Sequence, residues 1–152
     1  REAHNPFYAD RDLTAGESLP GYISSQAIDR AGELLGATPA ARADTARSLG
    51  RCVSRTKEWI TPEAPGPAIV AAALETLVKG GRLDVHGMAR IAWDDARIYA
   101  NGRSRELPAE LRETVRNLCQ LRRIRGPLDE RYGAHELLSW MLSSGVFEVS
   151  GK

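Results

Sequence analysis

Cysteine is scarce in this sequence, long apolar runs are missing, and neither sign of charge is in excess. The two cysteines, Cys52 and Cys119, lie far apart and outside any CxxC pair, which predicts buried free thiols and a reducing, cytoplasmic setting. The 21 basic residues are balanced by 20 acidic ones, so no global field attracts nucleic acid or an anionic membrane. No apolar run approaches the ~20 residues that span a bilayer, and no signal-peptide pattern is present.

Catalytic motifs are missing as well. The sequence contains no HExxH, GxSxG, Walker or GxGxxG pattern. Of its three histidines, His4 lies in a polar N-terminal segment, His86 follows Asp84 by two residues on a predicted strand, and His135 begins a predicted helix. Since no His-x-Asp or His-x-Glu occurs, the first two ligands of a non-haem iron triad are lacking. We therefore predict no catalytic, cofactor-binding or metal-binding residue in this chain.

The N-terminal part of the sequence predicts a polar arm followed by two helices. Residues 1–20 are turn-rich and predict an arm or linker. A first helix is predicted over residues 24–35, with Ser24 as N-cap and Gly36 directly after its end. Thr38 and Pro39 predict the start of a second helix as N-cap and first helical residue.

The two predicted helices have narrow, alanine-rich apolar stripes, which their own pairing cannot fully cover. A symmetric second copy is the commonest way to bury such a surface. Residues 21–59 are therefore predicted to form a helical dimerisation region of a homodimer. The predicted interface consists of apolar residues from both stripes: Ile28, Ala31, Leu35, Ala46, Leu49 and Val53.

Residues 60–66 predict a proline-rich linker, followed by a second unit over residues 67–152. This unit begins with a strongly amphipathic helix over 67–79. Alternating apolar residues around Asp94-Asp95 and Asn101-Gly102 then predict hairpins. Helices from about Pro108 and Ala134 and a short strand over 146–149 complete the order typical of a winged helix. The predicted fold class is mainly α with small antiparallel hairpins (α+β).

Arginines are concentrated near the centre of this second unit. Residues 110–125 contain five arginines against two glutamates, which is a weak excess for a nucleic-acid groove binder. Arg112, Arg116 and Arg123 would share one face if the helix from Pro108 continued that far. This leaves a winged-helix nucleic-acid-binding regulator as the alternative function, while a solvated helix flank is the favoured interpretation.

Seven segments of the sequence are typical of one known family: residues 5–13 (NPFYADRDL), 49–57 (LGRCVSRTK), 81–84 (GRLD), 89–94 (ARIAWD), 98–102 (IYANG), 137–138 (LL) and 144–147 (SGVF). In these segments the chain resembles the bacterial JmjC-type (cupin-like) ribosomal protein hydroxylases. The resemblance implies a helical dimerisation region and a winged-helix-like domain, placed after a cupin core that binds Fe(II) and 2-oxoglutarate. That core, with its His-x-Asp…His ligands, is missing from this sequence.

The resemblance therefore implies a non-catalytic module that dimerises and positions a protein substrate, namely a ribosomal protein. The chain also begins at Arg1 without an initiator methionine, which favours a piece of a longer enzyme.

Overall fold

The computed structural model of the chain describes residues 19–57, 60, 62–127 and 131–149. Most of the predicted arm, residues 1–18, lies outside the described residues. Within them the chain forms five α-helices and two small antiparallel sheets. The predicted α+β class is therefore confirmed.

The first two helices begin close to the predicted positions. Helix α1 (Ser25–Leu34) is capped by Ser24, whose Oγ accepts a hydrogen bond from the Ala27 amide at 3.1 Å. Gly36 follows its end with a φ of 62°, the left-handed conformation that glycine adopts at low cost. Thr38 precedes a 3₁₀ turn, Pro39–Ala41, without a side-chain cap, so helix α2 (Arg42–Val53) begins three residues later than predicted.

The predicted second unit contains the remaining elements. Helix α3 spans Pro67–Val78, strand β1 Arg82–Asp84, β2 Ile91–Trp93, β3 Arg97–Ala100 and β4 Arg103–Glu106. Helix α4 spans Arg112–Leu121, strand β5 Arg123–Arg125 and helix α5 Ala134–Ser143. Helices α3, α4 and α5 all start within a few residues of the predicted positions.

The pairing of the strands agrees in part with the hairpins predicted from the turn residues. Strands β2, β3 and β4 form an antiparallel meander, with Asp94-Asp95 and Asn101-Gly102 in its two turns. Positive φ values of 49° at Asn101 and 80° at Gly102 suit a two-residue hairpin turn. Strand β1 pairs instead with β5, with Leu83 opposite Ile124.

Two further pairings differ from the sequence-based expectations. The predicted terminal strand over 146–149 is reduced to a single bridge between Val85 and Phe147. Residues 21–23, the start of the predicted helical dimerisation region, instead pair with β2. The Ile23 amide donates to the Trp93 carbonyl at 2.7 Å, and the Trp93 amide donates to the Gly21 carbonyl at 2.8 Å. The chain thus enters the fold along the edge of the meander.

The meander separates two apolar clusters because its side chains alternate between faces. On one face Trp93, Ile98 and Ala100 pack into the main core with helices α3, α4 and α5. On the other face Ala92 and Tyr99 pack against helices α1 and α2. The helical pair therefore covers the back of the sheet. The predicted division of the chain at residues 60–66 stays a prediction.

Candidate functional site

The six residues predicted for a dimer interface do not lie on one surface. Ile28 is 4% exposed and Ala46 is 9% exposed, and both pack against the sheet in the second cluster. Leu49 is partly buried against the same cluster. Leu35 and Val53, by contrast, are 73% and 46% exposed. The apolar stripe is thus divided between the chain's own sheet and solvent.

Ala46 is held in the interior by a buried tyrosine. The Tyr99 hydroxyl donates to Asp94 Oδ2 at 2.6 Å and lies 3.1 Å from the Ala46 carbonyl oxygen. Burial, together with the adjacent Asp94 carboxylate, raises the pKa of Tyr99 well above its usual range, so the phenol stays neutral. Asp94 Oδ1 also accepts hydrogen bonds from the amides of Ala96 and Arg97, both at 2.8 Å. Asp94 therefore binds both the backbone of the β2–β3 turn and the Tyr99 hydroxyl that contacts α2.

The exposed large apolar residues of the helical pair lie at the C-terminal ends of its two helices. Leu34 is 75% exposed beside Leu35, at the end of α1, while Val53 ends α2. Ala31, one turn before the end of α1, is half-buried. Leu34 was not predicted, although the Leu34-Leu35 pair directly before Gly36 is a visible sequence signal. Large apolar side chains left in water in this way are typical of a surface that another protein covers.

The arginines of the alternative function are not brought together. Helix α4 ends at Leu121, and Arg122 has a left-handed φ of 53°, so Arg123 lies on strand β5. The helix thus does not continue to Arg123, and the condition for one shared helical face is not met. Arg112 donates from Nη2 to the Asp95 carbonyl, and its Nε is buried without a hydrogen-bond partner among the described residues. Arg116 Nη1 lies 3.6 Å from Glu113 Oε2.

The donor set does not fit the Fe(II) of the resembled enzymes. Asp84 Oδ2 is paired with Arg82 Nη2 at 3.1 Å, and His86 Nδ1 accepts a hydrogen bond from the Met88 amide at 3.1 Å. Within the described residues, no three His, Cys, Asp or Glu side chains are grouped to hold a metal ion. A facial triad needs three such ligands on one face of the metal. The described residues therefore do not form the ligand set of such an iron site.

The two cysteines are both free thiols in different environments. Cys119 is buried, and burial raises its pKa to about 11, which keeps the thiol protonated and unreactive. Cys52 is exposed on α2, so its predicted burial is wrong. The reason is that α2 contacts the sheet through Ala46 and Gly50, which leaves residue 52 on its outer side.

Over the part of the chain that the structure describes, no helix has the length and apolar character needed to cross a membrane.

Comparison with known proteins gives a family match and several structural matches. The family model described as ROXA-like winged helix matches residues 32–136. A structure of the ribosomal oxygenase YcfD from Escherichia coli has 20% identity and a TM-score of 0.54, covering 97% of this chain and 42% of that one. A second E. coli YcfD structure has 19% identity and a TM-score of 0.56, covering 96% of this chain and 40% of that one.

A third YcfD structure, in complex with cobalt and 2-oxoglutarate, has 19% identity and a TM-score of 0.50, covering 97% of this chain and 41% of that one. The chain thus spans about two fifths of the length of these structures, and at such identities the likeness shows a common fold. No curated protein sequence matches the chain. The winged-helix fold and the resemblance drawn from the sequence are both confirmed.

Proposed function

Because this chain belongs to the ROXA-like winged-helix family, we propose that it is a non-catalytic dimerisation and substrate-positioning module. It serves a JmjC-type, 2-oxoglutarate/Fe(II)-dependent ribosomal protein hydroxylase of the cytoplasm. The observation that carries the proposal is the extent of the match. Nearly the whole chain aligns with about two fifths of an enzyme described as a ribosomal oxygenase. Fe(II) and 2-oxoglutarate would belong to a catalytic core outside these 152 residues.

Dimerisation is supported by the exposed apolar residues at the C-terminal end of α1 and at the C-terminal end of α2. Leu34, Leu35 and Val53 keep large apolar areas in water, and burial of such area against a second copy is favourable at roughly 25 cal/mol per Å². Ala31, Leu35 and Val53 are the members of the predicted interface that are not enclosed by the chain's own core. Ile28, Ala46 and Leu49 pack between the helical pair and the sheet. They therefore hold α1 and α2, which carry the exposed residues, on the sheet.

The dimer is tested by sedimentation velocity at tens of micromolar protein. The unaltered chain should sediment as a dimer, and the double variant Leu34→Asp/Leu35→Asp should sediment as a folded monomer, because charges at these positions oppose an apolar contact. Val78→Asp is the matched control, since Val78 is an exposed valine (47%) at the end of α3. It should remain dimeric. A monomeric unaltered chain would contradict the dimerisation part of the proposal.

Substrate positioning is tested by biolayer interferometry against individually purified ribosomal proteins. We expect at least one of them to bind the chain reversibly with micromolar affinity. The absence of binding to every ribosomal protein would contradict this part of the proposal, whatever the sedimentation result.

A further inference from the structure

Positive charge is concentrated in one stretch of the chain. Residues 42–57, which form α2 and the turn after it, contain four arginines and one lysine against a single acidic residue, Asp44. These residues therefore have a net charge of +4, whereas the whole chain has a net charge of +1. The arginines at positions 47, 51 and 55 are all exposed.

Three arginines are brought together where the end of α2 contacts the turn of the β3–β4 hairpin. Arg51 Nε donates to the Gly102 carbonyl oxygen at 3.0 Å, and the Gly102 amide donates to the buried Ser54 Oγ at 3.2 Å. Arg55 packs on the same turn, since a Cβ atom at Gly102 would lie 3.7 Å from its Cα and Cγ. Arg103, which is exposed, follows directly in the chain. The turn is thus surrounded by Arg51, Arg55 and Arg103.

Arg47 extends this group along α2. It precedes Arg51 by four residues, so the two side chains lie on the same side of the helix, roughly 6 Å apart along its axis. Arg47 Nη1 lies 3.7 Å from Asp44 Oδ1, and both side chains are exposed, so the pairing is weak. Val53, the exposed large apolar residue of α2, follows Arg51 by two residues and faces away from it. We call Arg47, Arg51, Arg55 and Arg103 the α2 arginine cluster.

The charges around the turn are held by neutral partners. Arg51 donates to a backbone carbonyl, and Arg103 Nη1 donates to the Ser143 carbonyl oxygen at 3.4 Å and to Ser144 Oγ at 3.3 Å. Among the residues that the structure describes, Arg51, Arg55 and Arg103 form no ion pair with a carboxylate. Neutral acceptors orient a guanidinium without cancelling its charge. The cluster therefore presents oriented, uncompensated positive charge to solvent.

We propose that the α2 arginine cluster binds the phosphate backbone of an RNA strand, without regard to its sequence. Guanidinium groups pair bidentately with phosphate oxygens, and neutralised phosphates release counterions, which drives binding. A protein partner would need apolar and aromatic anchors at the centre of its interface. The exposed large apolar residue of α2 faces away from the cluster, which favours phosphate over an acidic protein segment.

The choice of RNA rests on the proposed function, which places this chain beside ribosomal components. The contact itself goes beyond that function, because it would hold the module on RNA while another surface meets the protein substrate.

The probe is a short fluorescein-labelled RNA strand of mixed sequence, titrated with the unaltered chain and followed by fluorescence anisotropy. At physiological salt the dissociation constant should be on the order of 10⁻⁴ to 10⁻⁶ M. A plot of its logarithm against the logarithm of salt concentration should have a slope of about 2 to 3, as expected when three or four phosphates of a single strand are neutralised. The absence of binding, or binding that salt does not weaken, would overturn the proposal.

Two competitors identify the chemistry that is recognised. A DNA strand of the same sequence carries the same phosphates and should displace the labelled RNA about as well as unlabelled RNA does. A DNA strand that displaces it better would show that the choice of RNA is wrong. Polyglutamate with the same number of charges should compete less well, because each glutamate side chain loses rotamer freedom when it is held. Equal displacement by polyglutamate would assign the cluster to an acidic protein segment instead.

Two double variants locate the binding. Arg47→Gln/Arg55→Gln removes two charges while sparing the hydrogen bonds to Gly102, and Arg51→Gln/Arg103→Gln removes the two that border the turn. Each should weaken RNA binding by about fivefold or more at physiological salt and lower the salt slope by about 1.4, since two phosphate contacts are lost. The melting curve of each variant shows whether it is folded. Unchanged RNA binding by the folded Arg47→Gln/Arg55→Gln variant would contradict the assignment.

Arg116→Gln/Arg123→Gln is the matched control. It removes the same charge from two exposed arginines on α4 and β5, and it should bind RNA within about twofold of the unaltered chain. If this control weakens binding as much as the cluster variants do, the RNA responds to net charge and the cluster is not the site.

The RNA titration and the ribosomal-protein titration fail independently. If a ribosomal protein binds the chain but RNA does not, the cluster assignment is wrong and the positioning role stands. If RNA binds through the cluster but no ribosomal protein binds, the positioning role is wrong and the cluster remains a phosphate-binding surface.

Discussion

Tyr99 connects the helical pair to the sheet at the scale of a single residue. The ring is fully buried, and its hydroxyl joins the turn carboxylate of Asp94 to the backbone of α2 at Ala46. A Cβ atom at Gly50 would lie 2.2 Å from Cζ of this ring. The space that a side chain would need at position 50 is thus occupied by Tyr99, and glycine is required there by close approach.

Gly50→Ala should therefore destabilise the fold. The added methyl group forces the Tyr99 ring or α2 to move, which we expect to lower the free energy of unfolding by roughly 1–3 kcal/mol in urea denaturation. Gly32→Ala is the control within α1, where the new Cβ would meet only Thr45 Cγ2 at 3.9 Å. That substitution should raise stability by about 0.5–1 kcal/mol, because alanine loses less entropy in a helix. A Gly50→Ala variant as stable as the unaltered chain would exclude this account.

At the scale of elements, the position at which α4 ends determines whether Arg112, Arg116 and Arg123 can form one row. The helix ends at Leu121, and the left-handed Arg122 turns the chain into β5. Arg122 also donates from Nη2 to the carbonyls of His86 and Ala89, each at 3.1 Å. Arg123 consequently lies across from Asp84 on β1 and not on the helix that carries Arg116. The helix therefore offers no continuous arginine row to a nucleic-acid groove.

We accordingly expect duplex DNA to bind weakly and without sequence preference, with a dissociation constant on the order of 10⁻⁴ to 10⁻⁶ M at physiological salt. A titration against a random duplex library measures this. Replacing Arg116 and Arg123 by alanine should leave the fold intact, because both side chains are exposed. It should change the affinity only slightly, because the two arginines lie on different elements and form no continuous row. Enrichment of one sequence motif, with nanomolar affinity lost in the double variant, would favour the regulator function instead.

At the scale of the whole molecule, the proposed function places substrate positioning in this chain and catalysis outside it. The fold is that of about two fifths of a ribosomal oxygenase, and its sequence lacks the His-x-Asp start of a facial triad. Within the described residues, the exposed large apolar side chains of its helical pair are Leu34, Leu35 and Val53.

This chain by itself should hold no iron and consume no 2-oxoglutarate. Iron content after desalting from excess Fe(II) under argon and succinate release by coupled assay are the two measurements. Addition of a chelator should leave the melting temperature unchanged, since the described residues contain no group of three side chains that could hold a stabilising metal ion. Stoichiometric iron, or succinate above a boiled control, would show that a metal site can be assembled from these residues.

The sequence by itself determined the features that depend on neighbouring residues. The Ser24 cap, the Gly36 helix end, the two hairpin turns and the starts of α3 and α5 were all predictable, because caps and turns are set by side chains a few positions away. The resemblance to ribosomal protein hydroxylases was also visible, since turn and core residues recur in fixed order.

Only the tertiary structure decided which surfaces remain available. Local periodicity marks Ile28, Ala46 and Leu35 equally as apolar, but the back of the meander covers the first two and leaves Leu35 in water. Strand β5 likewise needed its pairing with β1 to be recognised, since three residues carry little pattern of their own. The physical reason is the same in each case: burial depends on contacts between residues distant in sequence, and a local pattern records only that a side chain is apolar, not what covers it.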